Sequence, residues 1–144
     1  MIINNTNLTY TANSPIDTSQ LTALYDSVGW TGYTDHPEKM EKILQGSLYY
    51  LSAWDKQKLV GLIRAVGDDV SVLFIQDILV HPEYQRKQIG STLMNAVLES
   101  FPHIRQTVLL TDNTEKTEAF YTSLGFASAS KVESVAFIKM NWQA

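Results

Sequence analysis

Residues 75–94 read IQDILVHPEYQRKQIGSTLM. An apolar strand here ends at a proline turn, and a polar loop then leads directly into an amphipathic helix. The first turn of such a helix has main-chain N–H groups without intrahelical partners and lies at the positive end of the helix dipole, so it attracts anions. Gly90 allows a ligand to approach the main chain closely, and Arg86 and Lys87 add positive charge beside it. The segment therefore predicts a site for a diphosphate.

Two segments of the sequence resemble the GCN5-related N-acetyltransferase (GNAT) family. Residues 84–91, YQRKQIGS, are similar to the family's acyl-CoA signature Gln/Arg-x-x-Gly-x-Gly/Ala, with Gln85 at its first position and Gly90 at its last. Gln88 stands where the family has its middle glycine. Residues 119–126, AFYTSLGF, resemble the family's Phe-Tyr-x-x-x-Gly-Phe segment. Two segments in this order and separation are more specific than either alone.

The composition indicates an ordinary globular protein. A chain of 144 residues with 44% hydrophobic residues is long enough to bury one core, so we expect a single domain over residues 1–144. The absence of cysteine fits a reducing cytoplasm, and residues 1–5 lack the pattern of a signal peptide. The net charge of −4 argues against nucleic-acid binding, and no apolar run approaches the length of a membrane span.

Hydrophobic periodicity predicts the element order β-α-α-β-β-β-α-β-α-β. The expected strands cover residues 7–12, 47–54, 58–66, 70–80, 107–111 and 135–142. The expected helices begin near Asp17, Pro37, Ile89 and Glu115 and end near Gly29, Gly46, Pro102 and Leu124. The fold class is then α/β (α+β), with a mixed, mainly antiparallel sheet flanked by helices, which is also what the resemblance implies.

The resemblance implies that acetyl-CoA is the cosubstrate. Its pantetheine arm would lie between two splayed strands, one ending near Val80 and one near Thr107, and a main-chain N–H would stabilise the oxyanion of the tetrahedral intermediate. The alternative is that this strand is an ordinary buried strand. Thr114 stands where many family members have an asparagine, with Asn113 one residue earlier. The candidate cofactor-binding residues are Ile78, Leu79, Val80, Gln85, Arg86, Lys87, Gln88, Ile89, Gly90, Ser91, Asn113 and Phe120.

Asp77 and Tyr121 are the candidate catalytic residues. Strict alternation would place Asp77 on one strand face with Leu73, Ile75 and Leu79, where burial would make it a general base. An ionised Asp77 held by nearby donors as a structural anchor is the equal alternative. The resemblance implies that Tyr121 protonates the leaving CoA thiolate, and its alternative is a tyrosine that packs beside Phe120.

The acceptor site is the least defined part of the sequence. The resemblance places it under the connection between the first two helices, where Trp30, Tyr33 and His36 are the candidate substrate-binding residues. Aromatic rings with Asp35 nearby would suit an amine with an apolar or cationic body, although the same rings could form a lid or a dimer contact. The three histidines show no metal-ligand spacing, so we expect no metal.

These features together predict an N-acetyltransferase that moves an acetyl group from acetyl-CoA to a primary amine. We expect a small-molecule amine and direct attack in a ternary complex, because no cysteine is present to carry an acyl intermediate. Two alternatives stay open: a protein amine as the acceptor, or a domain that binds acyl-CoA as a sensor without turning it over. A homodimer could form through the last strand, whose Phe137, Ile138, Met140 and Trp142 could equally be core.

Overall fold

The computed structural model describes residues 7–144. The lack of a signal-peptide pattern in residues 1–5 contributed to the expectation of a cytoplasmic protein, and these residues lie outside the described part of the chain. The strands are β1 (Thr9–Ala12), β2 (Tyr49–Asp55), β3 (Lys58–Gly67), β4 (Val72–Val80) and β5 (Gln106–Leu109). The α-helices are α1 (Thr18–Ser27), α2 (Thr31–Thr34), α3 (Pro37–Met40), α4 (Ile89–Ser100) and α5 (Glu115–Ser123). Short 3-10 turns cover Pro82–Tyr84 and Ala129–Val132.

The five strands form one sheet in the order in which they follow along the chain. Neighbouring strands from β1 to β4 are antiparallel, and β5 is parallel to β4. A parallel neighbour needs a crossover connection, which here contains α4. The predicted α/β fold class with a mixed, mainly antiparallel sheet is confirmed.

The chain divides into two compact units. The first ends at Leu110 and holds the sheet with α1 to α4, and the second begins at Thr111 and holds α5 and the residues after it. The expectation of a single domain over residues 1–144 stays a prediction.

The core of the first unit lies on both faces of the sheet. On one face Leu21, Leu24 and Tyr25 of α1 join a buried cluster with Leu62 and Leu79. On the other face α4 lies so close to β3 that a Cβ at Gly61 would be 3.1 Å from Cγ2 of Ile89 and 3.4 Å from Cδ1 of Leu93. Gly61 therefore allows α4 to approach the strand that runs through the middle of the sheet.

A bulge in β4 corrects the predicted position of Asp77. Arg64 of β3 pairs with Asp77, but the next residue, Ala65, pairs with Ile75, so Gln76 has no partner in β3. The inserted residue moves the following side chains to the opposite face of the sheet. Asp77 shares a face with Arg64 and Leu79, towards α1, and not with Leu73 and Ile75 as strict alternation predicted. A bulge has no period, so the sequence pattern could not reveal it.

The predicted last strand is wrong. Residues 135–142 have no regular secondary structure. Large apolar side chains of this segment are exposed, with Phe137 at 93% and Trp142 at 84%. Alternation gives a segment the potential to form a strand, but its main-chain groups need a neighbouring strand to pair with. Within residues 7–144 the strands of the sheet are β1 to β5, and none of them comes from this segment. The homodimer through this segment stays a prediction.

The helix that begins at Pro37 is shorter than the predicted one, which ended near Gly46. α3 covers only Pro37–Met40, and turns continue to Gly46 in place of the helix that the apolar spacing indicated. Met40 is buried, while Ile43 and Leu44 are only partly buried against the same cluster. The spacing therefore identified the inward-facing side chains correctly and their secondary structure incorrectly.

Within residues 7–144 no helix has both the length and the apolar character needed to cross a membrane.

Candidate active site

One side of β4 is left without a neighbouring strand along part of its length. β5 pairs with β4 only from Val72 to Ile75, and in the described part of the chain no strand continues this pairing along residues 76–80. An unpaired strand edge presents main-chain N–H and C=O groups to whatever lies beside it. Pairing with β5 thus ends at Ile75, and the splay of the two strands that the resemblance implies stays a prediction.

The segment after β4 is fixed by local hydrogen bonds. His81 caps the turn Pro82–Tyr84 because its Nδ1 accepts a hydrogen bond from the N–H of Glu83 at 3.1 Å. Burial, and then the charge of Lys58, lower the pKa of His81, which keeps Nδ1 available as an acceptor. Gln85 donates from Nε2 to the carbonyl oxygen of Val80 at 3.1 Å, which joins the start of the loop to the end of the strand.

The loop then leads into α4 through two residues with left-handed backbone. Arg86 has φ of 66° and Gln88, the N-cap of α4, has φ of 64°. The first main-chain hydrogen bond of the helix joins the N–H of Thr92 to the carbonyl oxygen of Gln88 at 3.0 Å. The N–H groups of the residues between, in the first turn, have no intrahelical acceptor, and they lie beside Arg86 and Lys87. This arrangement can bind an anionic group such as a diphosphate.

The backbone of Gln88 explains the departure from the glycine signature. Glycine adopts positive φ readily, and most other residues do so at a cost. Gln88 nevertheless holds the left-handed conformation that a glycine would be used for. Gln88 therefore supplies a left-handed residue at the start of α4 without a glycine.

We expect Gln88→Gly to retain acetyl-CoA affinity within about twofold and Gln88→Val to lower it at least about tenfold, because a β-branched residue strongly disfavours positive φ. Calorimetric titration of acetyl-CoA measures both. Lys56→Val is the matched control, since Lys56 has φ of 56° in the turn between β2 and β3. Equal affinity of Gln88→Val and wild type would contradict the importance of this backbone conformation.

Asp77 lies at the centre of a buried polar cluster in the first unit. Asp77 is 5% exposed and Arg64 is 7% exposed. Oδ2 of Asp77 accepts hydrogen bonds from Nε of Arg64 and from the hydroxyl of Tyr25, each at 2.8 Å. Oδ1 accepts a third from the hydroxyl of Tyr33 at 3.2 Å. The carboxylate is thus surrounded by donors, one of them a guanidinium.

The charges in this cluster stabilise one another. Burial acts to lower the pKa of Arg64, but the carboxylate of Asp77 and the hydroxyl of Tyr25 outweigh it, so the pKa of Arg64 is raised. Burial, and then the charge of Asp77, raise the pKa of Tyr25. The two shifts keep the guanidinium of Arg64 charged and the hydroxyl of Tyr25 protonated.

The candidate substrate residues take different positions. Tyr33 belongs to the cluster, with the Arg64 guanidinium 5.8 Å from its ring centre and the Tyr25 ring 5.1 Å away. Trp30 is 38% exposed and its ring lies 6.1 Å from that of Tyr25. His36 instead lies 3.7 Å from the carboxylate of Glu38. The structure therefore brings the side chains of Tyr33 and Asp77 together. His36 contacts Tyr33 through its main-chain N–H, which donates to the carbonyl oxygen of Tyr33 at 3.0 Å.

Tyr121 belongs to the second unit and lies in the last turn of α5. Its ring contacts those of Phe120 and Phe126, with centres 5.0 and 5.9 Å away. Burial raises the pKa of the Tyr121 hydroxyl, although a side-chain hydrogen bond with Thr111 acts in the opposite direction. Thr114 caps α5 by accepting from the N–H of Thr117 at 3.2 Å, and Asn113 is exposed just before it. Tyr121 is thus a half-buried tyrosine that keeps its proton at neutral pH.

Comparison with known proteins agrees with this geometry. The sequence model of the Acetyltransferase (GNAT) family matches residues 17–126. The chain belongs to the GNAT family. It is therefore an acyltransferase, as predicted.

Known relatives and structures extend the match over nearly the whole chain. An "uncharacterized N-acetyltransferase ycf52-like" protein of Prochlorococcus marinus is 32% identical over 85% of this chain and 69% of its own length. A GNAT family acetyltransferase of Streptococcus pneumoniae is 39% identical, with a TM-score of 0.83 over 93% of this chain and 98% of the other. An aminoglycoside N-acetyltransferase solved in complex with CoA has the same fold at 21% identity, with a TM-score of 0.70 over 92% of this chain and 94% of the other.

Three residues that contact Tyr33 or Asp77 were absent from the sequence-based candidates: Tyr25, Arg64 and the exposed Gln76, whose Nε2 lies 3.2 Å from the hydroxyl of Tyr33. Tyr25 was expected only as a core residue of α1, and Arg64 and Gln76 were not singled out. A signal for Arg64 was present, because a lone arginine within the apolar run of β3 requires a buried partner of opposite charge. No signal in the sequence indicated Gln76, since its position depends on the bulge.

Proposed function

We propose that this GNAT protein transfers the acetyl group of acetyl-CoA to the primary amine of a small molecule, by direct attack in a ternary complex. The observation that carries the proposal is the continuity of the open edge of β4 with the loop and the first turn of α4. One surface offers main-chain groups for an extended amide chain, and the next offers donors for a diphosphate. Pantetheine and the diphosphate of CoA follow each other in the same order.

The proposed cofactor contacts follow from that geometry. We propose that main-chain groups of Ile78, Leu79 and Val80, in the part of β4 beyond its pairing with β5, bind the amide groups of pantetheine. Residues 85–91 form the loop and the first helical turn, where N–H groups and two cations favour the diphosphate. Asn113 and Phe120 are proposed as further contacts on the strength of the family resemblance.

The proposed reaction needs no acyl-enzyme. The lone pair of the amine attacks the thioester carbonyl carbon, the C–S bond breaks, and the CoA thiolate leaves. Tyr121 gives its proton to that thiolate, for which a hydroxyl that stays protonated at neutral pH is suited. The amine nitrogen loses its proton to water. The chain has no cysteine that could carry the acetyl group.

We propose Asp77 as a structural anchor and not as the base. Its two oxygens accept hydrogen bonds from Arg64, Tyr25 and Tyr33. A base must have a lone pair directed at the proton it removes, and these three donors surround the carboxylate. Asp77 instead fixes Arg64 and Tyr33, and Tyr33 with Trp30 then forms an aromatic surface for the acceptor. The role of His36 in acceptor binding rests on the resemblance alone.

Structures of similar fold support the proposal of a small-molecule acceptor. Structures of similar fold include aminoglycoside acetyltransferases, one in complex with CoA and one with sisomicin, at 21% and 18% identity. Those identities show the fold alone. The test is thiol release from acetyl-CoA with an aminoglycoside, a diamine, an arylalkylamine and lysine-containing peptides. Saturable turnover on peptides only would reject a small-molecule acceptor, and tight acetyl-CoA binding with no release on any of them would favour a sensor.

We expect Gly90→Val to weaken acetyl-CoA binding at least about tenfold, because a branched side chain would crowd the main chain at which the diphosphate is proposed to lie. Calorimetric titration with acetyl-CoA and with CoA measures the change. Gly46→Val is the matched control, since the nearest atom to a Cβ there is the carbonyl oxygen of Lys42 at 3.9 Å. Unchanged affinity of Gly90→Val would contradict the proposed position of the diphosphate.

A further inference from the structure

The bulge in β4 allows two consecutive residues, Gln76 and Asp77, to contact the hydroxyl of Tyr33. Gln76 is exposed and Asp77 is buried, yet both contact Tyr33 of α2. Nε2 of Gln76 lies 3.2 Å from the Tyr33 hydroxyl, and Oδ1 of Asp77 lies 3.2 Å from the same atom. In an unbulged strand these two side chains would point to opposite faces of the sheet. The bulge therefore joins an exposed amide to the buried ion pair.

The hydrogen bonds of Tyr33 determine which way the Gln76 amide points. A tyrosine hydroxyl has one proton to donate and two lone pairs to accept with. The carboxylate of Asp77 can only accept, so it receives the proton, and the guanidinium of Arg64, 3.3 Å away, can only donate. The contact with Gln76 must then be donated by Nε2. Oε1 is consequently directed away from Tyr33, and within residues 7–144 it has no hydrogen-bond partner.

We propose that Oε1 of Gln76 binds the acceptor amine by accepting a hydrogen bond from its N–H. This inference rests on the proposed function. Gln76 is the first residue of β4 beyond its pairing with β5, so its side chain stands at the start of the open edge where the thioester is proposed to lie. An amide oxygen orients the amine without the charge of a carboxylate, which would stabilise the unreactive ammonium form. A primary amine retains N–H groups for this contact while its lone pair attacks.

Gln76→Met tests the contact, because methionine has a similar length and neither donates nor accepts strongly. We expect KM for the best small amine of the panel to rise about three- to tenfold, the loss of one hydrogen bond. The Kd of acetyl-CoA is expected to stay within twofold of wild type. Gln57→Met, at an exposed glutamine in the turn between β2 and β3, is the control and is expected to change neither constant. An unchanged KM in Gln76→Met overturns the inference.

Gln76→Glu separates acceptor binding from a merely structural role. The carboxylate should stabilise the ammonium form, so we expect the acid limb of the kcat profile to move to higher pH while KM for the amine does not rise. A Glu variant with the wild-type pH profile overturns the inference.

Tyr33→Phe tests how Gln76 is held. If Tyr33 acts on the acceptor through Gln76, the double variant with Gln76→Met raises KM no more than Gln76→Met alone. Additive effects on KM overturn that coupling. A wild-type protein that binds no acetyl-CoA would reject the proposed function itself. A protein that binds acetyl-CoA and acetylates the amine, with KM indifferent to residue 76, would reject only this inference.

Discussion

Tyr121→Phe is expected to lower kcat at least about 100-fold, the usual contribution of a positioned acid, while the Kd of acetyl-CoA stays within twofold of wild type. The substitution removes one hydroxyl and keeps the ring that contacts Phe120 and Phe126. Without the acid, the CoA thiolate must leave unprotonated, so the step that breaks the C–S bond is slowed. Steady-state thiol release together with calorimetry of acetyl-CoA measures both constants.

A tyrosine outside the proposed site provides the control for this substitution. Tyr49 of β2 packs its ring against Phe101, with centres 5.4 Å apart, and Tyr49→Phe is expected to leave kcat and the Kd of acetyl-CoA unchanged. A Tyr121→Phe enzyme that turns over at the wild-type rate would show that Tyr121 is a packing residue of α5 and not the acid.

Asp77→Ala is expected to lower the free energy of unfolding by about 3 to 5 kcal/mol, the effect of removing one partner of a buried ion pair. The substitution leaves the guanidinium of Arg64 buried with its charge uncompensated and removes the acceptor for Tyr25 and Tyr33. Urea denaturation of the variant and wild type measures the loss.

Asp69→Ala is the matched control for that loss. Asp69 forms an exposed pair with His103 at the same distance, 2.8 Å, with about half of each side chain accessible. An exposed pair of this kind contributes about 1 kcal/mol or less. A loss in Asp77→Ala that is no larger than in Asp69→Ala would contradict the anchoring role.

Asp77→Asn distinguishes a structural role of Asp77 as an anchor from a catalytic role as the general base. Its amide oxygen can still accept from Arg64 and Tyr25, so we expect a folded protein whose kcat stays within about threefold of wild type. If Asp77 were the general base, kcat would fall by about 100-fold or more. Retention of the fold in Asp77→Asn therefore makes the kinetic comparison possible even if Asp77→Ala unfolds.

The sequence was sufficient for the parts of the structure that depend on local patterns. Strands with alternating side chains, the turn at Pro82 and the amphipathic spacing of α4 all lie within a few residues of their predicted positions. The start of α4 after the polar loop could also be predicted, and the dipole and free N–H groups that suit an anion arise wherever a helix begins. The left-handed backbone of Gln88 shows that the turn into α4 forms with a residue other than glycine.

The tertiary structure decided what depends on partners distant in sequence. Residues 135–142 carry a strand pattern and form no strand, since strand formation requires a neighbour that the pattern does not supply. The bulge at Gln76 turned Asp77 towards α1 and onto Arg64, Tyr25 and Tyr33, which are 13 to 52 residues away along the chain. Local periodicity fixes which way a side chain points only while the pairing register is regular. The sequence by itself determined the five strands of the sheet, the amphipathic α4 and the turn that leads into it, and the register of β3 against β4 determined which side chains meet at the candidate site.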